Sequence, residues 1–379
     1  MNRKTLAAAT ALALLPCAVL AQSSTVVIYG KLNIDVETLA ANGPNADDTR
    51  KHRVSSNSSL LGFRGEEALG GGVSAFFQIE SSVGVDTGSG TLAGRSSAVG
   101  LKGPAGSLLM GQWDTPYKNS TLKLDPFTNK TFAGYGAVLY GNSSPTVANI
   151  ANRQAFDRRQ KNVIQYWSPE TNSGFKGRLA YGVGEEKGTC AVACDPRLWS
   201  AAGSYERGAL TLIAAYERHD EYANTATVRT RDDALRIGTH YVAGATTFSG
   251  VAEQLTFRGN LAATGLAKTF TPGAASAVKV RNLWGAVTHR IGSQVLRASF
   301  GRSADLKLDG PGASAPDTGM RYWAAGYAYQ PSKRTELYLT YARIDNDTRS
   351  ANDFGTAALG GVTAGAHPTG FGMGITHSF

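Results

Sequence analysis

The six histidines, His52, His219, His240, His289, His367 and His377, are the first residues to test for chemistry, and none stands at metal-ligand spacing from another. No serine, histidine and acid set accompanies a nucleophile motif, so hydrolysis has no candidate machinery. Gly70-Gly71-Gly72 sits at a hairpin, not between a strand and a helix, which argues against a phosphate cradle. Asp345, Asp347 or Asp353 could hold a Ca2+ ion, but solvated loop acids are the commoner use of such residues, and no metal or cofactor is expected. Cys190 and Cys194 frame the segment Cys190-Ala191-Val192-Ala193-Cys194. In an exported chain a disulfide pinching this small loop is the favoured reading; a metal site is the rival, weakened because no histidine lies near. What remains is charge placed on otherwise apolar segments, notably Lys31, Asp35 and Glu80.

The elements that carry those charges are strands. Val26, Ile28, Gly30, Leu32, Ile34 and Val36 alternate with Val27, Tyr29, Lys31, Asn33, Asp35 and Glu37, giving one apolar face and one mostly polar face. The same period recurs at Val73, Ala75, Phe77 and Ile79 against Ser74, Phe76, Gln78 and Glu80, and again at 336–341, while helical periodicity is nowhere comparable. Turn residues mark tight connections at 70–72, 103–106, 172–174, 207–208, 243–244, 291–293 and 331–333. Longer polar segments lie between them, such as 42–53, 185–197, 220–231, 258–279 and 346–368. Seven tight turns join fourteen strands, and one strand at each end makes sixteen.

Composition supports this architecture. The 379 residues include 45 Gly and only 18% charged side chains, with 42% hydrophobic, too apolar for a disordered chain. No stretch after the N-terminus holds the ~18 apolar residues that a spanning helix needs. Residues 1–21 read as a secretory signal peptide: Arg3 and Lys4 lead an apolar run from Leu6 to Leu15, Pro16 breaks it, and cleavage is expected after Ala21. Removing Arg3 and Lys4 from the 38 Lys+Arg leaves 36 against 29 Asp+Glu, a mature charge of +7. The Lys and Arg are scattered among strands, not gathered in a patch, so nucleic acid is not an expected partner. Short connections at one end and long ones at the other are the mark of a transmembrane β-barrel, and charged inward faces suit a watery lumen better than a dry sandwich core. Sixteen strands are enough to enclose an aqueous channel. Phe371, Met373, Ile375 and Phe379 share a face of the last strand, as a lipid-facing closing strand requires.

The sequence resembles the general diffusion porins of Gram-negative outer membranes, in particular their Gly-rich β-proteobacterial branch. The resemblance is carried by Val26-Val27-Ile28-Tyr29-Gly30-Lys31-Leu32, by Leu61-Gly62-Phe63-Arg64-Gly65-Glu66-Glu67 leading to Leu69-Gly70-Gly71-Gly72, by Phe77-Gln78-Ile79-Glu80-Ser81, by 95–103, by Ser107-Leu108-Leu109-Met110-Gly111-Gln112-Trp113 and by the ending Thr376-His377-Ser378-Phe379. It is dense to about residue 186 and thinner beyond. It implies an all-β, sixteen-stranded antiparallel transmembrane β-barrel (residues 22–379) with short periplasmic turns, long external loops and a third loop folded into the pore. It also implies a homotrimer in contact with outer-membrane lipid and lipopolysaccharide.

The long irregular stretch at about 115–157 stands where that third loop belongs. Asp125-Pro126-Phe127 takes the place of its acidic-Pro-aromatic turn, making Asp125 the first candidate for the acidic side of the constriction, with Glu80 beside it. Lys31, Arg95 and Arg159 match basic wall positions of the family by local motif, and Arg297 matches more weakly. Departures are Leu60 in place of a wall arginine, Gln112 in place of a basic residue and Asn119 in place of a loop aspartate, while Lys118, Lys123 and Lys130 make the loop less acidic than the family pattern. The expected activity is passive diffusion of ions and small hydrophilic solutes, with weak to moderate anion preference set by a transverse field. One alternative is a substrate-specific channel for organic acids or oligosaccharides, using Trp113, Tyr117, Tyr135 and Tyr140 as an aromatic track. A second, of another class, is a soluble secreted β-sandwich that binds ligands.

Overall fold

Alternation of side chains is what closes this chain into a tube. The computed structural model describes residues 26–43, 49–127, 131–139, 156–184, 194–261, 266–355 and 357–379; the expected leader at 1–21, Cys190, Lys130, Tyr140 and parts of the 115–157 loop lie outside these. Nineteen strand segments form one antiparallel sheet. Three barrel strands are interrupted and count as two segments each, which leaves sixteen. In chain order they are β1 (Val27–Asn42), β2 (Thr49–Ser56 and Leu60–Gly70), β3 (Val73–Gly84), β4 (Ser89–Thr91 and Ser97–Gly103), β5 (Gly106–Asp114), β6 (Arg159–Trp167), β7 (Phe175–Gly182) and β8 (Arg197–Arg207). They continue with β9 (Leu210–Asp220), β10 (Arg231–Ala243), β11 (Thr246–Arg258), β12 (Ala277–Ile291), β13 (Gln294–Ser303 and Lys307–Asp309), β14 (Met320–Tyr329), β15 (Thr335–Asn346) and β16 (His367–Ser378).

Closure is made by β1, which pairs with β2 on one side and β16 on the other, from Lys31 opposite Ser378 to Asn42 opposite His367. No edge is left to aggregate or to expose unpaired backbone to lipid. Beyond Ser378, Phe379 exchanges both backbone hydrogen bonds with Gly30 at 3.0 and 3.1 Å, and its ring lies over Gly30, where a Cβ would stand 2.4 Å from Phe379 Cζ. All seven expected tight turns connect neighbouring strands. Four of them, Gly71-Gly72, Gly208-Ala209, Gly244-Ala245 and Gly292-Ser293, are two-residue loops whose first glycine takes φ between +57° and +61°, the left-handed conformation that twisted hairpins favour.

The outer face is apolar: Leu101, Met110, Leu179, Leu235, Ile237, Leu283, Leu339, Phe371 and Met373 are all exposed. The residues between them point inward and are polar, glycine or packed against the long segment after β5. That segment enters the barrel through helix α1 (Pro116–Thr121) and two 3-10 turns at Leu122–Leu124 and Tyr135–Ala137. Thr115 caps α1 through its Oγ1, which accepts from Lys118 N at 3.3 Å. The loop packs Leu124, Phe127, Phe132, Val138 and Leu139 against the inner wall, so the main apolar cluster lies inside the tube and not between two sheets. Glycines on that wall make room: a Cβ on Gly301 would stand 2.4 Å from Val138 Cγ2, one on Gly326 2.8 Å from Phe127 Cε1, and one on Gly370 2.5 Å from Phe132 Cε2. The glycine-rich composition thus serves close approach of loop to wall as well as turns.

Candidate functional site

The loop is pinned to one side of the lumen by a buried charge cluster. Arg236 on β10 and Glu253 on β11 point inward and pair, Nε to Oε2 at 3.1 Å with a second contact from Nη2. Arg236 Nη1 donates to Thr121 Oγ1 at 2.7 Å, and its guanidinium stacks 4.3 Å from the Tyr117 ring centroid. Tyr117 Oη donates to Glu253 Oε2 at 2.7 Å, and Asn282 Nδ2 on β12 donates to the other oxygen at 2.9 Å. Farther along, Tyr322 Oη on β14 donates to the Ala133 carbonyl. Phe132 meets Phe354 of the last external loop with ring centroids 5.1 Å apart. Most of these anchors lie on β10–β16 or their loops, with Tyr117 N also donating to Ser200 Oγ on β8 at 3.0 Å, and open space is left along β2–β9 toward the short turns.

That space is a cavity of about 1460 Å3 at the short-turn end, roofed by Pro116, Asn119, Ser120 and 122–124 of the loop. Its charged lining is Arg64, Lys102, Lys123, Lys176 and Arg178 against Glu66, Glu170 and Glu206. Two of the three carboxylates face lysines: Lys102 Nζ stands 3.6 Å from Glu66 and Lys176 Nζ 3.0 Å from Glu206. The arginines lie over aromatic rings, Arg64 at 5.2 Å from Tyr29 and Arg178 at 4.7 Å from Trp167.

The residues singled out from sequence occupy distinct places. Arg95 and Glu80, assigned to opposite walls, are paired at 2.5 Å, with Tyr29 Oη donating to the other Glu80 oxygen at 3.3 Å. Arg95 also borders a smaller cavity of about 320 Å3 lined by Ser56, Ser58, Ser59, Ser82 and Thr91. Lys31 lies on the inner face of β1 beside this pair, opposite Leu60. Arg159, at the start of β6, stands 3.1 Å from Asp114, which also meets Lys118 at 3.2 Å; Lys118 reaches Asp157 at 2.8 Å. Burial alone would lower the Lys118 ammonium, but Asp114 and Asp157 outweigh it and hold the group above lysine's ordinary value. Alternation puts Asp114 and Arg159 on the face opposite Trp113 and Gln160.

Two expected pore residues lie away from open water. Asp125 is only 6% exposed. Its Oδ1 accepts from Phe127 N at 2.9 Å and its Oδ2 from Tyr135 N at 2.6 Å, so the carboxylate ties the two halves of the loop together instead of facing the channel. Arg297 forms a bidentate pair with Glu336 at 3.0 and 2.5 Å, close to the tight turn at 331–333 and packed beside the cluster of Val295, Ala328 and Tyr338. Of the suggested aromatic track, Trp113 borders the cavity, whereas Tyr117 and Tyr135 are buried in the loop anchor. Arg178, Trp167, Arg236 and Glu253 were not singled out from sequence; the available signal was the alternation that places each between lipid-facing neighbours.

A family model described as Gram-negative porin matches residues 8–349. The chain belongs to the Gram-negative porin family. The porin is therefore an outer-membrane protein whose wet interior passes ions and small hydrophilic solutes by diffusion. It is 27% identical to "Outer membrane porin protein 32" of Delftia acidovorans over 376 residues, 96% of both chains. It is 30% identical to "Major outer membrane protein P.IB" of Neisseria gonorrhoeae over 194 residues, 49% of this chain and 50% of that one. In fold it is similar to "Anion-selective porin from Comamonas acidovorans", with a TM-score of 0.76 and 23% identity, covering 94% of this chain and 100% of that one. It is also similar to the trimer form of OmpT from Vibrio cholerae, with a TM-score of 0.64 and 14% identity, covering 94% and 100%.

Proposed function

We propose that this porin is a general diffusion channel with weak to moderate anion preference, acting as a homotrimer with one pore per chain. The observation that carries the preference is the charge of the cavity: five cations against three carboxylates, two of which face lysines. A lumen so lined raises the local concentration of anions and lowers that of cations. Lys31, beside the paired Arg95 and Glu80, supplies the excess positive charge of the constriction wall, and the fold neighbour from Comamonas is itself described as anion-selective, the same sign. The apolar band outside meets lipid, with lipopolysaccharide in the outer leaflet. The same reading keeps the disulfide expected between Cys190, outside the described residues, and Cys194, and the removal of residues 1–21 on export.

Reversal potentials across a bilayer in a KCl gradient test the preference: the expected sign is anionic, and a cationic sign overturns it. Lys123→Glu or Arg95→Glu is expected to move the permeability ratio toward cations. An unchanged ratio in both removes those residues from the field. Unheated gel migration with cross-linking reads the trimer, and a monomer alone would refute it.

A further inference from the structure

We propose that the short-turn vestibule contains a binding station for aromatic carboxylates, separate from the constriction; it rests on the anion-passing reading above and names a solute class for it. The station is built on β3 and β5–β7. Trp167 and Arg178 are register partners on β6 and β7, so their side chains emerge side by side into the lumen. The guanidinium lies 4.7 Å from the Trp167 ring centroid. Trp167 meets Trp113 edge to face, with centroids 5.5 Å apart and planes at 61°. Phe76 packs into the same cluster and also borders the cavity.

Each part answers to a part of the ligand. A guanidinium stacked on an indole keeps its N–H edges outward in one plane, a preset fork for the two oxygens of a carboxylate. Among the described residues, Arg178 has no carboxylate partner, whereas neighbouring Lys176 is held by Glu206 at 3.0 Å. The ring edges of Trp113, Trp167 and Phe76 beside it offer apolar and edge-to-face surface to an arene about one ring-width from the carboxylate. Lys123, on the roof of the same cavity, adds long-range attraction. Chloride or acetate would use only the charge and a neutral sugar only the rings; an aromatic acid uses both.

Benzoate is the probe. Purified porin is inserted in a known orientation and its current is recorded with benzoate, cyclohexanecarboxylate or acetate added to either side. Benzoate is expected to block at a concentration at least tenfold below acetate, with cyclohexanecarboxylate between, and more readily from the short-turn side. Arg178→Gln and Trp167→Leu should each raise the half-blocking concentration about five- to tenfold. Arg178→Lys keeps the charge but loses the planar fork, and should fall between wild type and Arg178→Gln. Equal block by benzoate and acetate overturns the proposal, as does benzoate block that survives both Arg178→Gln and Trp167→Leu in variants that still conduct. The KCl reversal potential of wild-type channels, read in the same bilayers, keeps the two readings apart. Anion preference without selective benzoate block sinks the station alone, and a cationic reversal potential sinks the anion-channel reading.

Discussion

Removing the guanidinium of Arg236 should loosen the loop that roofs the channel, and the size of the effect follows from what it leaves behind. In Arg236→Met, Glu253 keeps Tyr117 Oη at 2.7 Å and Asn282 Nδ2 at 2.9 Å but loses the guanidinium paired with it, in a pocket closed to solvent. Thr121 loses its 2.7 Å donor, and Tyr117 loses the cation stacked 4.3 Å from its ring. Stripping one partner from a buried ion pair costs roughly 3–5 kcal/mol, because the remaining charge is stranded. Even ~3 kcal/mol, at about 1.4 kcal/mol per tenfold, shifts the ratio of docked to undocked loop by on the order of a hundred. Single-channel recording should therefore show flickering between the wild-type conductance and a larger one, with heat denaturation at lower temperature. Arg236→Met/Glu253→Gln removes both charges and should recover much of the loss. A quiet, wild-type trace from Arg236→Met refutes the anchoring role, and so does a double variant noisier than the single one.

Two further perturbations probe other parts of the interior. Gly301→Ala places a methyl 2.4 Å from Val138 Cγ2, and overpacking of this kind costs about 1–3 kcal/mol; conductance should change as the loop tip moves, and an unchanged conductance with unchanged heat stability would show that the contact yields freely. Lys268, between external loops, donates to the Thr318 carbonyl and to Ser350 Oγ at 3.3 Å, and burial pushes its ammonium down to about 8 from 10.5. The sign follows from proton counting: between those values the opened loops hold a proton that the closed cluster has lost, so closure strengthens as pH rises from about 8 to 10.5 and is flat below 8. Cleavage of these loops by a nonspecific protease, taken as the ratio of wild type to Lys268→Met, should fall across that window. A constant ratio would contradict it.

The barrel was legible because its signals are local. Period-two alternation reports which face a residue occupies, and glycine, proline and serine clusters report where the chain reverses, so every tight turn from 70–72 to 331–333 was found. Interruptions were harder to read: β2 breaks at Asn57-Ser58-Ser59 and β6 shifts register at Asn162, whose φ is +51°, and although asparagine and serine tolerate such backbone, the same residues also stand inside unbroken strands. Asp125 shows the limit most clearly. A motif can place an acid on the third loop, but whether its oxygens face water or the backbone amides of Phe127 and Tyr135 is settled by a loop that folds over ten residues.

The same limit explains why charge was easier to place than to assign. Alternation aims Arg236, Glu253, Arg297 and Arg178 inward with equal force, yet their uses differ because neighbours differ. Arg236 meets Glu253, seventeen residues away, and Thr121, 115 away, and becomes an anchor. Arg297 meets Glu336, and the bidentate pair neutralises both. Arg178 meets only the face of Trp167 among the described residues and keeps its field in the water. A charge count over the whole chain therefore says little about what a permeating ion encounters. Inward charges held in close pairs with opposite charges largely cancel, so selectivity rests on the remainder, of which the cations Arg64, Lys123 and Arg178, set against the carboxylate of Glu170, line the vestibule. Neutralising that trio together should alter ion preference more than removing Arg297 and Glu336 as a pair, although the pair contains as many formal charges as any two of the three.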